Sequence, residues 1–84
     1  MPENQKEHER VIHYTVNDEH QKTEEERLTP VQILTNAHID PQTNYLIEIK
    51  GKEQISFKDK PNEPIEMKNG MKFISQFIGP TPVS

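Results

Sequence analysis

One stretch of the chain constrains its backbone more than any other: Leu28-Thr29-Pro30-Val31-Gln32-Ile33. Thr29 is a helix N-cap residue, and Pro30 occupies the first helical position, where its missing N–H costs nothing. Gln32 completes a capping-box pattern, and Leu28 and Ile33 stand at the two positions of a hydrophobic staple. Val31, Leu34 and Ala37 or His38 can then face a core at helical spacing. Asp40-Pro41 stops the segment after about two to three turns. A lone helix this short cannot bury its apolar stripe on itself, so the rest of the chain must supply a sheet.

The flanking segments read as strands. In Val11–Val16, the residues Ile12, Tyr14 and Val16 share one face. Asn17-Asp18-Glu19-His20 is expected to turn, and the polar run 21–27 to form at most a weakly held edge strand. Beyond the helix, Tyr45–Ile49 reads as a strand with Tyr45, Ile47 and Ile49 turned inward, ending at a Gly51 turn. Gln54–Phe57 is a short strand, 58–64 a loop with two prolines, and Asn69-Gly70 a tight turn. Met71–Ile78 is the last strand, with Met71, Phe73 and Phe77 inward. The order β-β-α-β-β-β predicts an α+β fold: a mixed sheet of four to five strands packed on one short helix. Placing the first and last strands side by side makes it a β-grasp.

Composition narrows the function classes. The chain has 84 residues, of which 30% are hydrophobic and 29% charged, so one small domain is the most it can hold. Residues 1–10 carry one apolar side chain, Met1, and are expected to be a disordered leader. The domain is expected over 11–78, with 79–84 an extended tail. A net charge of −4 argues against nucleic acid as a partner. With no cysteine, disulfides, thiolate metal sites and a cysteine nucleophile are excluded. No apolar run reaches membrane-spanning length, and no signal peptide opens the chain, so a cytoplasmic protein without membrane association is expected.

The LTPVQILTNAHIDPQTNYLIEIKG segment, the KDKPNEPIEM loop and the MKFISQFIGPTPVS ending together resemble the bacterial multiubiquitin family. These are ubiquitin-like domains encoded beside relatives of ubiquitin-handling enzymes in bacterial ubiquitination-like operons. The resemblance implies a β-grasp protein modifier. An E1-like activating enzyme would adenylate its C-terminal carboxylate with ATP, and an E2-like conjugating enzyme would receive it. A metallopeptidase is the third partner, and antiviral defence the expected setting. The modifier itself would be a monomer when free, a substrate of enzymes with no catalytic activity and no cofactor of its own.

The chemistry of the ending fits such a role. Gly79, Pro80, Thr81, Pro82, Val83 and Ser84 form the candidate segment for activation or processing. The two prolines lack N–H donors and favour a semi-rigid extended chain, which loses little entropy on entering a partner's channel. Gly79 supplies a joint. A terminal Gly-Gly is absent, so either Ser84 is used directly or residues 80–84 are removed to expose Gly79. The alternatives to a modifier are a noncovalent interaction module and, less favoured without Gly-Gly, a sulfur carrier.

A second candidate site is a surface. With Tyr45, Ile47 and Ile49 inward, Leu46 is expected to point outward and to meet Ile74 and Ile78 of the last strand. Glu48, Lys50 and Lys72 would rim this patch, which would dock the partner enzymes. The four histidines show no i, i+4 pairing and no nearby acidic ligand set, so no metal site is expected. The serines lack a nucleophile elbow, and the three glycines are too dispersed for a phosphate loop.

Overall fold

The computed structural model describes residues 11–78, so the expectations for 1–10 and 79–84 lie outside the described residues. The helix forms where its start signal stands. α1 covers Pro30–Asn36, and Thr29 is its N-cap. The Gln32 N–H donates to Thr29 Oγ1 (3.1 Å), and the Thr29 N–H donates to Gln32 Oε1 (2.9 Å), closing the capping box. Leu28 and Ile33 are both buried in one cluster, as a staple requires.

The helix ends at Asn36, short of Asp40-Pro41, because a reversal built from backbone bonds stops it first. The His38 N–H donates to the Thr35 carbonyl (3.0 Å) and the Ile39 N–H to the Leu34 carbonyl (2.9 Å). These are the two bonds of a Schellman motif, and Ile39 packs against the core near Leu34. His38 takes the left-handed position at φ 64°, where glycine is usual. It is exposed and does not face the core.

Among the described residues, seven strands accompany the helix: β1 Ile12–Val16, β2 Glu19–Thr23, β3 Arg27–Leu28, β4 Asn44–Lys50, β5 Glu53–Ser56, β6 Ile65–Glu66 and β7 Met71–Phe77. Five of them make one sheet in the order β2-β1-β7-β4-β5, while β3 and β6 pair separately. β1 runs parallel to β7, and the other pairings are antiparallel. The protein is therefore α+β, with a mixed five-stranded sheet and one short helix. Among the described residues, no helix is long and apolar enough to cross a membrane.

The turns follow their residues. Asn17 and Asp18 both have positive φ (55° and 68°), the pattern of a type I′ hairpin turn, so β2 begins already at Glu19. Gly51 (φ 63°) opens the two-residue turn between β4 and β5. Of the polar run 21–27 expected as an edge strand, only 21–23 belong to the edge strand β2, which starts earlier at Glu19; 24–26 are not strand, and Arg27 begins β3.

The core lies between one sheet face and α1. Tyr14, Val16, Phe73 and Leu46 come from the sheet, Ile33 and Leu34 from the helix, and Leu28, Ile65 and Met67 from the smaller pairing and its flank. Tyr14 meets Phe73 edge-to-face at a centroid distance of 5.9 Å. Burial pushes the Tyr14 hydroxyl pKa up, and a hydrogen bond with the Asn36 side chain opposes part of that shift.

Two measurements test these features. The left-handed conformation of His38 costs a residue bearing a Cβ roughly 1–2 kcal/mol, against a Gly entropy cost of about 0.5–1 kcal/mol. His38→Gly is therefore expected to raise unfolding stability by about 0.5–1 kcal/mol, read from chemical denaturation. For Tyr14, a raised folded-state pKa means the unfolded chain releases its proton first. Its stabilising contribution is full below about pH 10 and is lost as pH rises further. Tyr14→Phe is expected to flatten that alkaline loss.

Candidate docking surface on the open sheet face

The face of the sheet turned away from α1 is set by the register of β4 against β7. Leu46 stands opposite Ser75, Ile47 opposite Ile74, Glu48 opposite Phe73 and Ile49 opposite Lys72. Residues directly opposite share a face. Phe73 is in the core, so Leu46 and Glu48 point toward the helix with it. Tyr45, Ile47, Ile49, Lys72, Ile74 and Gln76 point the other way.

This corrects the expected facing of β4. Leu46 is not a surface residue but is 0% exposed at the centre of the core. Tyr45, Ile47 and Ile49 are turned outward. Glu48, expected on the rim, is 8% exposed. Lys50 shares the parity of Leu46 and Glu48, so it is exposed on the helix side of the sheet and does not border Ile74. The physical reason is the register: Glu48 stands opposite Phe73, which belongs to the core, and this turns the even-numbered residues of β4 to the helix side and the odd-numbered ones to the open face.

Of the expected surface residues, the structure brings together Ile74 and Lys72. Around them it adds Ile47, Ile49 and Tyr45, which the strand pattern alone assigns to the core. Ile47 is nearly covered although it lies outside the core cluster, because Ile74 and Ser56 flank it across both neighbouring strands. Ile49, Ile74 and Tyr45 remain half-buried, and Lys58 places its ammonium 5.7 Å from the Tyr45 ring centroid. The result is a band of isoleucines bordered by Lys72, Lys58 and Gln76. Such a surface suits a partner with an apolar centre and an acidic rim.

Ile78 lies past the end of β7. Its N–H donates to the Thr43 carbonyl (2.7 Å), yet its side chain is 51% exposed. Phe77, expected inward with Phe73, is 58% exposed. It stands opposite the polar Asn44 and has no apolar partner across the ladder. The two together give β7 an apolar, uncovered end. The candidate tail residues Gly79, Pro80, Thr81, Pro82, Val83 and Ser84 follow it and lie outside the described residues.

The open face also carries a pair that sequence reasoning misses. His13 Nδ1 and His20 Nε2 are 2.8 Å apart, with the rings stacked at a centroid distance of 4.9 Å. A search at helical spacing does not find them. The two-residue turn at Asn17-Asp18 would have, since it sets His13 opposite Lys22 and Thr15 opposite His20, making the two histidines diagonal neighbours. Comparison with protein-family models, with curated proteins and with solved structures found no match.

Alanine substitutions separate the two faces. Leu46→Ala removes a fully buried side chain and is expected to cost about 2–5 kcal/mol. Ile74→Ala is expected to cost about 1 kcal/mol, as a half-covered position does. Urea denaturation of the two variants measures both, and equal losses would overturn this facing of β4 and β7.

Proposed function

We propose that this architecture is a β-grasp and that the protein is a ubiquitin-like modifier. In this reading an E1-like enzyme activates its C-terminal segment with ATP and passes it to an E2-like enzyme for conjugation. A metallopeptidase of the same kind of system would process it, and the protein itself catalyses nothing. The observation that carries the reading is the position of β7. The last strand is paired on both sides, parallel to β1 and antiparallel to β4, so a firmly held element precedes the segment that begins at Gly79.

The chemistry of attachment favours such an arrangement. A modifier must present a carboxylate to another protein's catalytic cleft while its body stays folded. A central strand anchors the root of the segment, and the exposed Ile78 and Phe77 offer apolar grip beside it. The isoleucine band at Ile47, Ile49 and Ile74, with Lys72, supplies a docking face that is rigid because it is built on strands. The resemblance of the LTPVQILTNAHIDPQTNYLIEIKG segment and the GPTPVS ending to the multiubiquitin family supports the same role.

Incubation with an E1-like enzyme and ATP, followed by intact-mass measurement, tests the proposal. An ATP-dependent mass gain on the enzyme is expected. Its size distinguishes attachment through Ser84 from attachment through Gly79 after loss of residues 80–84. Deleting 79–84 is expected to abolish the adduct while leaving the unfolding transition unchanged. Binding without any adduct, to an enzyme shown to be active, would instead make the protein a noncovalent interaction module.

A further inference from the structure

Glu48 is the one buried charged side chain among the described residues, at 8% exposed. The register that turns Leu46 into the core turns Glu48 to the same side of the sheet, opposite Phe73. Beside it a depression of about 510 Å³ opens between the end of β4 and the 65–71 segment, within the roughly 300–1,000 Å³ of small-ligand sites. Among the described residues neither a hydrogen bond nor an ion pair reaches the Glu48 carboxylate, and no buried side-chain oxygen lacks a partner. The covered part of Glu48 is therefore its stem, and its oxygens open into the depression.

The walls of this depression are held in place. On one side β4 is paired with both β5 and β7. On the other, the Met67 N–H donates to the Glu26 carbonyl (2.8 Å) and the Gly70 N–H to the His13 carbonyl (2.8 Å). The Lys68 N–H donates to Met71 Sδ (3.1 Å), which ties the Met71 side chain to that segment. A long side chain entering from solvent meets Ile65 and Met71 along its stem and Glu48 at its head. Lys50, Glu66 and Lys68 also line the depression and are exposed. Two carboxylates thus stand against two ammonium groups, so no net charge draws a free ion, and the least exposed group, Glu48, sets the sign of an occupant.

We propose that this depression binds the side chain of an arginine on a partner protein, with the guanidinium on the Glu48 carboxylate. A carboxylate accepts two parallel N–H bonds from a planar guanidinium, whereas an ammonium is a more strongly hydrated point charge. Lys50 and Lys68 repel an isolated cation and pair with carboxylates placed on either side of the arginine. The segment that fits is therefore an arginine flanked by acidic residues. Among the described residues no group of three or more metal-ligating side chains occurs, so a bare cation finds too few ligands here. The site lies on the side of the sheet opposite the isoleucine band. It is independent of the modifier reading, which can fail without touching it.

NMR titration of the full chain with a capped tripeptide, arginine between two glutamates, tests the site. Saturable shifts are expected in the amides of residues 48–51 and 65–71, and not in those of 74–76. Glu48→Gln is expected to weaken binding about tenfold or more while leaving the thermal midpoint unchanged. Citrulline in place of the peptide's arginine keeps the shape and removes the charge, and is expected to weaken binding to the parent chain by as much. Glu63→Gln, on an exposed loop outside the depression, is expected to bind as the parent does. Equal binding of the arginine and citrulline peptides, unchanged affinity in Glu48→Gln, or the same shifts from inorganic phosphate alone would overturn the proposal.

Discussion

The parallel pairing of β1 with β7 is the constraint on which the rest depends. It joins residues nearly sixty positions apart, with Tyr14 opposite Met71 and Val16 opposite Phe73, and it places Tyr14 against Phe73 in the core. Ordering so long a loop costs entropy, which local bonds at both ends of the pairing offset. At one end Asn69 and Gly70 bind the backbone of His13. At the other, the Asn17 N–H donates to the Phe73 carbonyl. There the Asn17 side chain also accepts from the Ser75 N–H and donates to Ser75 Oγ. Two turn asparagines thus extend a three-residue ladder at each end.

From that pairing the layers follow. β7 is flanked by β1 and β4, so both its faces matter. Phe73 points to the helix, and Ile74 points to the open face. The core is small, and it is completed from outside the main sheet by Leu28, Ile65 and Met67. The loop before β6 contributes as well, since the Pro61 carbonyl accepts from the Val31 N–H in the first turn of α1 (3.1 Å). The proline-containing loop is therefore part of what holds the helix start in place, beyond its own capping box.

The open face carries two distinct features. An isoleucine band bordered by lysines runs along β4 and β7, and an exposed histidine pair stands on the β1–β2 hairpin. The proposed modifier role uses the first. Both are built on strands, whose side-chain directions are set by the ladder and not by loop conformation. Glu48, by contrast, is turned to the helix side at the end of the core, beside Ile65 and Met71.

How much of this was legible from residues alone depends on how far each determinant reaches along the chain. The start of α1, the turns at Asn17-Asp18 and Gly51, and the order of the five main-sheet strands around one helix were legible, because each rests on neighbours a few residues apart, whereas the short β3–β6 pairing of residues far apart in the chain was not. The facing of β4 was not. Tyr45, Ile47 and Ile49 outnumber Leu46 as apolar residues, and counting them chose the wrong face. Shifting a strand by one residue inverts every side chain, and only pairing with Phe73 on a distant strand decides which way it falls. The end of the helix and the meeting of His13 with His20 were decided likewise in three dimensions. A Schellman reversal without glycine and a diagonal cross-strand contact leave no periodic trace in a chain read one residue after another.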